Sequence, residues 1–358
     1  MHVRAISGFG DKSPACFLVE TRERRFLLDL GEDTSTGERP DVSGLGRIDA
    51  VLVSHGHADH IGALDLIEQI GNPPIYATAM VRALGGHAAL ADSRDLPLNG
   101  VADILGVVVE TGRAGHAPGG IWLRIGGADG VLYSGDFSRE GPLYAYDSPL
   151  PARYLIVDAS YGAYDEPLGP SVEMLVLAAG KAPLLLPAPA AGRGLEIALL
   201  LQEHGVPVSL CPAHRKVAET VLRNHSRELL PGAEERLARL LAEAATLGDN
   251  AQPKGAMIAA NAPASGGVAK ILLQRFAGTD VDIIITGHAD PTAPAGRALA
   301  EGIARFVRWN VHPPLTDLRW LIECVQPEVV MPAFLPREKF DALQDGLDGV
   351  VFAGPLLA

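Results

Sequence analysis

The segment Ser54-His55-Gly56-His57-Ala58-Asp59-His60 packs three imidazoles and a carboxylate into six residues. Neutral imidazole and carboxylate are ligands that zinc, manganese and iron favour, so the chemistry this turn suits is the binding of divalent cations. On a turn leaving a strand, side chains two apart, His55 and His57, converge on one cation, while the adjacent pair Asp59-His60 aims at a second beside it. The small spacers Gly56 and Ala58 leave the rings room to turn. A metal cluster needs further ligands, and two candidates lie downstream beside short strands: His116 in Ala114-Gly-His-Ala-Pro-Gly-Gly, and Asp136 in Leu132-Tyr-Ser-Gly-Asp-Phe-Ser. Taken alone, either reads as a capped turn residue. Their company with the 55–60 turn is what makes them ligand candidates.

Positioning such residues takes short strands that end on a common edge. The apolar runs Arg25 to Leu30, Ala50 to Ser54, Ile121 to Ile125, Val131 to Ser134 and Arg153 to Asp158 read as strands, with helical patterns at Gly62 to Ile70 and Met80 to Ala91. From Ser171 the texture changes to strand then helix, repeated: Pro183 to Leu186 and Gly194 to His204, Val206 to Leu210 and Arg215 to Arg223, Ala256 to Ala259 and Gly267 to Phe276, Asp282 to Thr286 and Gly296 to Val307. That alternation predicts a separate parallel α/β unit. Gly232 to Gly248 reads as an amphipathic helix with a solvated face. The class is α/β or α+β. His87, His204, His214 and His225 lack sequence partners and read as surface or helix-end residues, and Cys211 and Cys324, in apolar runs, as packed thiols.

Taken in order, HxHxDH, Gly-His and Gly-Asp-Phe-Ser resemble the metallo-β-lactamase superfamily, and Phe26-Leu-Leu-Asp-Leu-Gly is similar to its early strand and turn. Asp158-Ala-Ser-Tyr-Gly resembles motif A of the β-CASP branch, the nucleic-acid-processing subgroup. Leu186-Pro-Ala-Pro-Ala-Ala-Gly-Arg-Gly-Leu-Glu is similar to the signature opening its inserted domain, and Thr286-Gly-His-Ala-Asp with Gly296-Arg297 to the segment closing it. His312, in Trp309-Asn-Val-His, takes the place of the motif B histidine. One expected residue is missing: Val329-Val-Met-Pro-Ala-Phe-Leu-Pro holds no motif C histidine, which Ala333 or Phe334 would replace. RNA-cleaving members carry that histidine and Artemis-type DNA nucleases lack it.

The resemblance implies an αββα sandwich from residues 1–170 and 306–358, interrupted by an α/β β-CASP insertion at 171–305. It implies a first metal on His55, His57 and His116, a second on Asp59 and His60, and Asp136 bridging them. Two divalent cations are expected, zinc ahead of manganese, the second held more weakly for want of the motif C ligand. Two cations about 3.5–4 Å apart activate a shared water and clamp a phosphodiester. Asp59 is counted with the catalytic residues as well as the ligands; Asp158 would orient His312, and His312 would protonate the leaving oxygen. Arg193 and Arg297, each after a glycine at an expected helix start, are candidate phosphate-binding residues. The implied activity is metal-dependent hydrolysis of RNA, as endonuclease or 5′-exonuclease, with a DNA nuclease or a non-catalytic RNA-binding relative as alternatives.

Composition narrows the classes without choosing among them. The 358 residues carry 43 Asp+Glu against 30 Lys+Arg, a formal charge of −13, which disfavours non-specific polyanion binding and leaves nucleic acid to a local groove or a metal centre. No apolar run approaches the roughly 18 residues that span a bilayer, so no membrane partner is expected. Three widely spaced cysteines form no disulfide framework and fit a reducing cytoplasm. A homodimer is compatible with all of this.

Overall fold

The computed structural model describes residues 1–33, 36–224 and 227–357, which leaves His225 outside the described residues. The chain divides into two units, one of Met1–Arg139, Ala145–Glu166 and His312–Ala358, the other of Glu140–Tyr144 and Pro167–Val311.

The first unit is a sandwich of two sheets. One runs Leu356–Leu357, His2–Ser7, Cys16–Glu20, Arg25–Leu28, Ala50–Leu52, Ile75–Ala77, Arg94–Asp95; the other Val329–Ala333, Tyr154–Asp158, Val131–Tyr133, Ile121–Ile125, Val107–Arg113, Gly100–Ile104. Side chains alternate across each strand, and the alternation sorts them into layers. Phe17, Val19, Phe26 and Leu28 of the first sheet meet Leu123, Ile125, Tyr133, Ile156 and Met331 of the second in a buried core. Their neighbours Leu18, Leu27, Val51 and Val53 face outward onto Ile61, Leu64, Ile70 and Val81. On the far side Leu132, Leu155 and Val157 receive Leu315, Leu318, Leu321 and Val325 of the helix Leu315–Val325. The layers are therefore helix, sheet, sheet, helix: the expected αββα sandwich. Burying a side chain such as Phe17 or Leu28 contributes on the order of 2 kcal/mol each, and both faces of both sheets are used.

The second unit holds a six-stranded sheet in the order Ala245–Thr246, Val208–Leu210, Ala256–Ala260, Leu184–Ala188, Asp282–Ile285, Arg305–Phe306, every pairing parallel. Parallel strands covered on both faces need unbroken apolar runs, which is why Leu184–Ala188 and Ala256–Ala260 lack alternation.

Four expected helices change form. Met80 to Ala91 gives the helix Ala79–Leu84 and then the 3-10 segment Ala88–Leu90, with the left-handed Gly86 between them. Gly62 to Ile70 becomes a 3-10 segment, Leu64–Ile70, closed by the left-handed Gly71. The pattern Gly232 to Gly248 gives the helix Ala233–Glu243 and then the strand Ala245–Thr246, because Ala244 turns to extended backbone. Gly296 to Val307 gives the helix Pro294–Ala300 and then the edge strand Arg305–Phe306, the left-handed Gly302 separating them. Among the described residues, no helix is long and apolar enough to cross a membrane.

Candidate metal centre

The site of the first unit forms where strands end. Arg25–Leu28 pairs in parallel with Ala50–Leu52, and Val131–Tyr133 with Tyr154–Asp158, which in turn pairs in parallel with Val329–Ala333. Parallel registry sends Asp29, the 55–60 turn, Asp136 and Asp158 out on the same edge. A backbone bond from Ile121 N–H to the Ser54 carbonyl, 2.9 Å, ties the loop carrying His116 to the histidine turn of the other sheet.

Three groups of ligand atoms converge there, each within 4.8 Å: His55, His57 and His116; His55, His60 and Asp136; His116, Asp136 and His312. His57 Nδ1 lies 3.1 Å from both His55 Nε2 and His116 Nε2. Zinc–nitrogen bonds of about 2.0–2.1 Å separate tetrahedral ligand nitrogens by roughly 3.4 Å, so His57 is spaced to within a few tenths of an ångström for sharing one cation with each of the other two rings. Asp136 is 4% exposed and lies between the groups, 3.9 Å from His55 Nε2, 3.6 Å from His116 Nε2 and 3.3 Å from His60 Nε2. Its Oδ1 finds no well-formed hydrogen bond among the described residues. A buried carboxylate oxygen in that position costs folding free energy unless a cation or water satisfies it, and the donor set fits a divalent cation.

Asp59 belongs to none of the three groups; it is exposed in the first turn of the helix Ala58–Ile61. His312 does join one, which its expected role as a proton donor did not require. Its Nδ1 donates to Asp158 Oδ2 at 2.7 Å. Asp158 is fully buried, and its Oδ1 accepts from the backbone N–H and hydroxyl of Ser160, so its direction is fixed. The His312 ring also meets Tyr161 edge-on at 5.3 Å.

Charge and burial compete at each ring. Burial, and then the charges of His60 and His57, push His55 well below the usual imidazole value, so it is a neutral donor to a cation. Burial opposes protonation of His60 too, but Asp136 and Asp29 outweigh it and hold its pKa well above normal. For His312, Asp158 and then Asp136 overcome burial and raise it. Burial disfavours the Asp136 carboxylate, yet His60 and His312 hold its pKa well below the usual range.

Asp29 was missed as a functional residue in the sequence. Its Oδ2 accepts from His60 Nδ1, Ser54 Oγ and Tyr133 Oη, each at 2.7 Å, and its Oδ1 from Ser54 N–H at 2.7 Å. Holding Nδ1 this way turns His60 Nε2 toward Asp136. The apolar run before it and its place before Leu30-Gly31 were visible, but nothing in the spacing ties residue 29 to residue 60. The absent motif C position is filled by Phe334, at φ +59°, whose ring packs against His60 at 5.5 Å; Ala333 is buried in the core between the sheets.

Both arginine candidates lie in the second unit. Arg193 opens the helix Arg193–Glu203, donating from Nε to Thr286 Oγ1 at 3.2 Å, with its guanidinium against Gly287. Arg297 is not at a helix start: Pro294 begins that helix, Arg297 lies in its last turn, and its guanidinium caps the Thr292 carbonyl. His87 and His204 do lie at helix ends. His214 does not lie on the surface; it is wholly buried between Cys211 Sγ at 3.2 Å and the Pro189 carbonyl at 3.0 Å, and burial lowers its pKa to about 4. Cys211 is buried and Cys324 only partly so, and both are free thiols.

A family model described as the metallo-beta-lactamase superfamily matches residues 10–184. The chain is similar to transcription termination factor FttA of Methanothermobacter thermautotrophicus, 26% identical over 251 residues, 56% of this chain and 39% of that one. It is also similar to cleavage and polyadenylation specificity factor subunit 2 of Arabidopsis thaliana, 28% identical over 254 residues, 57% of this chain and 34% of that one, and to endoribonuclease YSH1 of Saccharomyces cerevisiae, 25% identical over 251 residues, 56% and 32%. The matches thus span about a third of the length of those relatives. A crystal structure of a protein of unknown function from Enterococcus faecalis V583 shares the fold across 99% of both chains, with a TM-score of 0.59 and 15% identity. The chain carries a metallo-β-lactamase superfamily domain.

Proposed function

We propose that the protein is a metal-dependent phosphodiester hydrolase acting on RNA. The observation that carries this reading is the convergence of four histidines and Asp136 beside the buried Asp158–His312 pair. Likeness to factors named for endoribonuclease, transcription-termination and polyadenylation roles supports the choice of RNA.

His55, His57 and His116 would hold one divalent cation, His60 and Asp136 a second, with Asp59 reaching the second by rotation of its side chain. Such cations, zinc first and manganese second, lower the pKa of a bound water and neutralise charge on a phosphate. The protein's own part is to orient and to move protons. Asp29 fixes the tautomer of His60. Asp158 fixes His312 with Nδ1 protonated, and its charge keeps the ring ready to donate to a leaving oxygen. Arg193 and Arg297 are proposed as contacts to more distant phosphates, Arg193 the better placed because it opens a helix. The three free cysteines suit a reducing cytoplasm. A DNA substrate is the second reading, favoured by Ala333 and Phe334 at the motif C position.

The test is degradation of end-labelled single-stranded RNA and DNA of one sequence, by wild type and by Asp136→Asn of matched circular dichroism, with zinc or manganese supplied. Faster loss of RNA, abolished by Asp136→Asn, is expected. An unaffected Asp136→Asn variant, or no cleavage of either polymer, would overturn the proposal, and faster DNA cleavage would move DNA ahead.

A further inference from the structure

Two lysines absent from the motifs lie at the edge of the metal centre within the first unit, and Arg337 lies two residues from one of them. The segment after Val329–Ala333 is stitched to the loop after His2–Ser7: Phe334 N–H donates to the Gly8 carbonyl at 2.8 Å and Arg337 N–H to the Gly10 carbonyl at 3.1 Å. Gly10, at φ +84°, lets the Arg337 side chain lie across it; a Cβ there would sit 3.1 Å from Nε. Gly162, at φ +63° and next to the Tyr161 that edges His312, is covered the same way by Lys339, whose Cβ and Cδ would meet an added Cβ at 3.3 and 3.4 Å. Lys12 closes the group. Its ammonium lies within electrostatic reach of Asp158, Lys339, Asp136 and Asp59, and its charge is felt by His312.

Among the described residues Lys12, Arg337 and Lys339 make no side-chain ion pair or hydrogen bond, whereas Arg39, Arg82, Arg113, Arg139 and Arg153 of the same unit are all paired with carboxylates. Lys12 and Lys339 also repel each other. Lys12 feels Asp158, Asp136 and Asp59 but pairs with none of them, so an anion from outside that bridges the two lysines relieves their repulsion, and in a chain of charge −13 the group gives a polyanion a local place to land.

We propose that Lys12 and Lys339 clamp one phosphate of a polynucleotide beside the metal ligands, and that Arg337 takes the neighbouring phosphate. This rests on the hydrolase reading and adds to it a binding subsite that the motifs do not contain. Crowding by protein lowers the Lys12 pKa; Asp158 opposes that shift and Lys339 adds to it. A bound phosphate would therefore strengthen the charged form of Lys12.

The experiment measures binding of a labelled single-stranded RNA, 2′-O-methylated and phosphorothioate-linked to resist cleavage, to the full chain as purified across a salt series. Lys12→Gln, Lys339→Gln, the double variant and both Lys→Arg variants are compared with wild type. Each lost phosphate contact should reduce the log–log salt slope by about 0.7, so that affinity falls roughly 2.6-fold less between about 50 and 200 mM salt. Arginine should restore the slope. A double variant with the wild-type slope and affinity overturns the clamp while leaving the hydrolase reading untouched. The converse is separable: if wild type neither binds nor cuts RNA or DNA, calorimetry with pyrophosphate decides, and binding lost only in the Gln variants upholds the clamp while the nuclease reading falls.

Discussion

Glu196 is the buried acid whose titration should be visible in stability. It is 2% exposed, and burial raises its pKa to about 7, an effect that hydrogen bonds from the Trp309 indole and the Leu143 backbone, and the charge of Arg193, only partly offset. Between its ordinary value of 4.5 and about 7, the folded chain keeps a proton that the unfolded chain releases. Stability is thus highest below the unfolded value and is lost as pH rises through the folded one, and the shift corresponds to about 3 kcal/mol in all. His214 in the same unit runs the other way: with its folded pKa lowered to about 4, it costs stability as pH falls below 6.5. Wild type alone would blur the two, so the comparison is with Glu196→Gln, which keeps the shape, keeps His214 and carries no titrating proton. Urea unfolding followed by tryptophan fluorescence, with Trp309 beside the acid as reporter, should show the variant gaining about 3 kcal/mol on wild type between pH of about 4.5 and 8. In urea that is a relative midpoint shift on the order of 1 M. A difference between the two proteins that stays constant across this range would refute the buried-acid argument.

Removing the hydroxyl in Tyr133→Phe leaves Asp29 short of one donor in a fully buried site, which should cost about 1–3 kcal/mol in a thermal melt. Because Asp29 orients His60, the same variant should weaken metal binding at the His60 side by about 10–100-fold in calorimetric titration of metal-free protein; unchanged affinity would count against that orienting role. Phe334→His puts an imidazole next to His60 and should tighten metal binding on the His60 side, read by the same titration. Ala333→His should instead overfill the core between the sheets and lower stability by about 1–3 kcal/mol.

Residues that converge in the fold and lie close in sequence were legible. His55, His57 and His60 announce themselves because one turn carries three rings, and His116 and Asp136 follow from strand-end positions. Asp29, 31 residues from the ring it orients, and Lys12, more than 300 residues from Lys339, gave no such signal: only strand registry and two loop-to-loop hydrogen bonds bring them in. Asp59 shows the opposite limit, since adjacency to His60 put it in the ligand set while the first turn of a helix points it to solvent. The αββα layering was implied by the resemblance and not by alternation, since strands such as Arg25–Leu28, Ala50–Leu52 and Tyr154–Asp158 are buried on both faces. The strand Arg305–Phe306 could not be anticipated, because two residues hold no period and the helical pattern before them runs straight through Gly302. His214 does lie in the first turn of a helix, whose N-cap is Cys211, but its burial was not legible because its acceptor, the Pro189 carbonyl, follows a strand 25 residues away.

The pairing of Tyr154–Asp158 with Val329–Ala333 bears on the order in which the protein acquires its chemistry during synthesis. The proposed ligands of a first metal, His55, His57 and His116, are all translated by residue 116, and Asp136 follows soon after. Yet the sheet that aims Asp136 and Asp158 lacks a strand, and Asp158 lacks its histidine, until the ribosome has passed residue 333. Such long-range parallel pairings form slowly and only after the intervening chain is available. A nascent chain halted within the second unit would carry most of the candidate metal-binding side chains without the geometry to use them, so competence for the proposed hydrolysis would appear late and all at once.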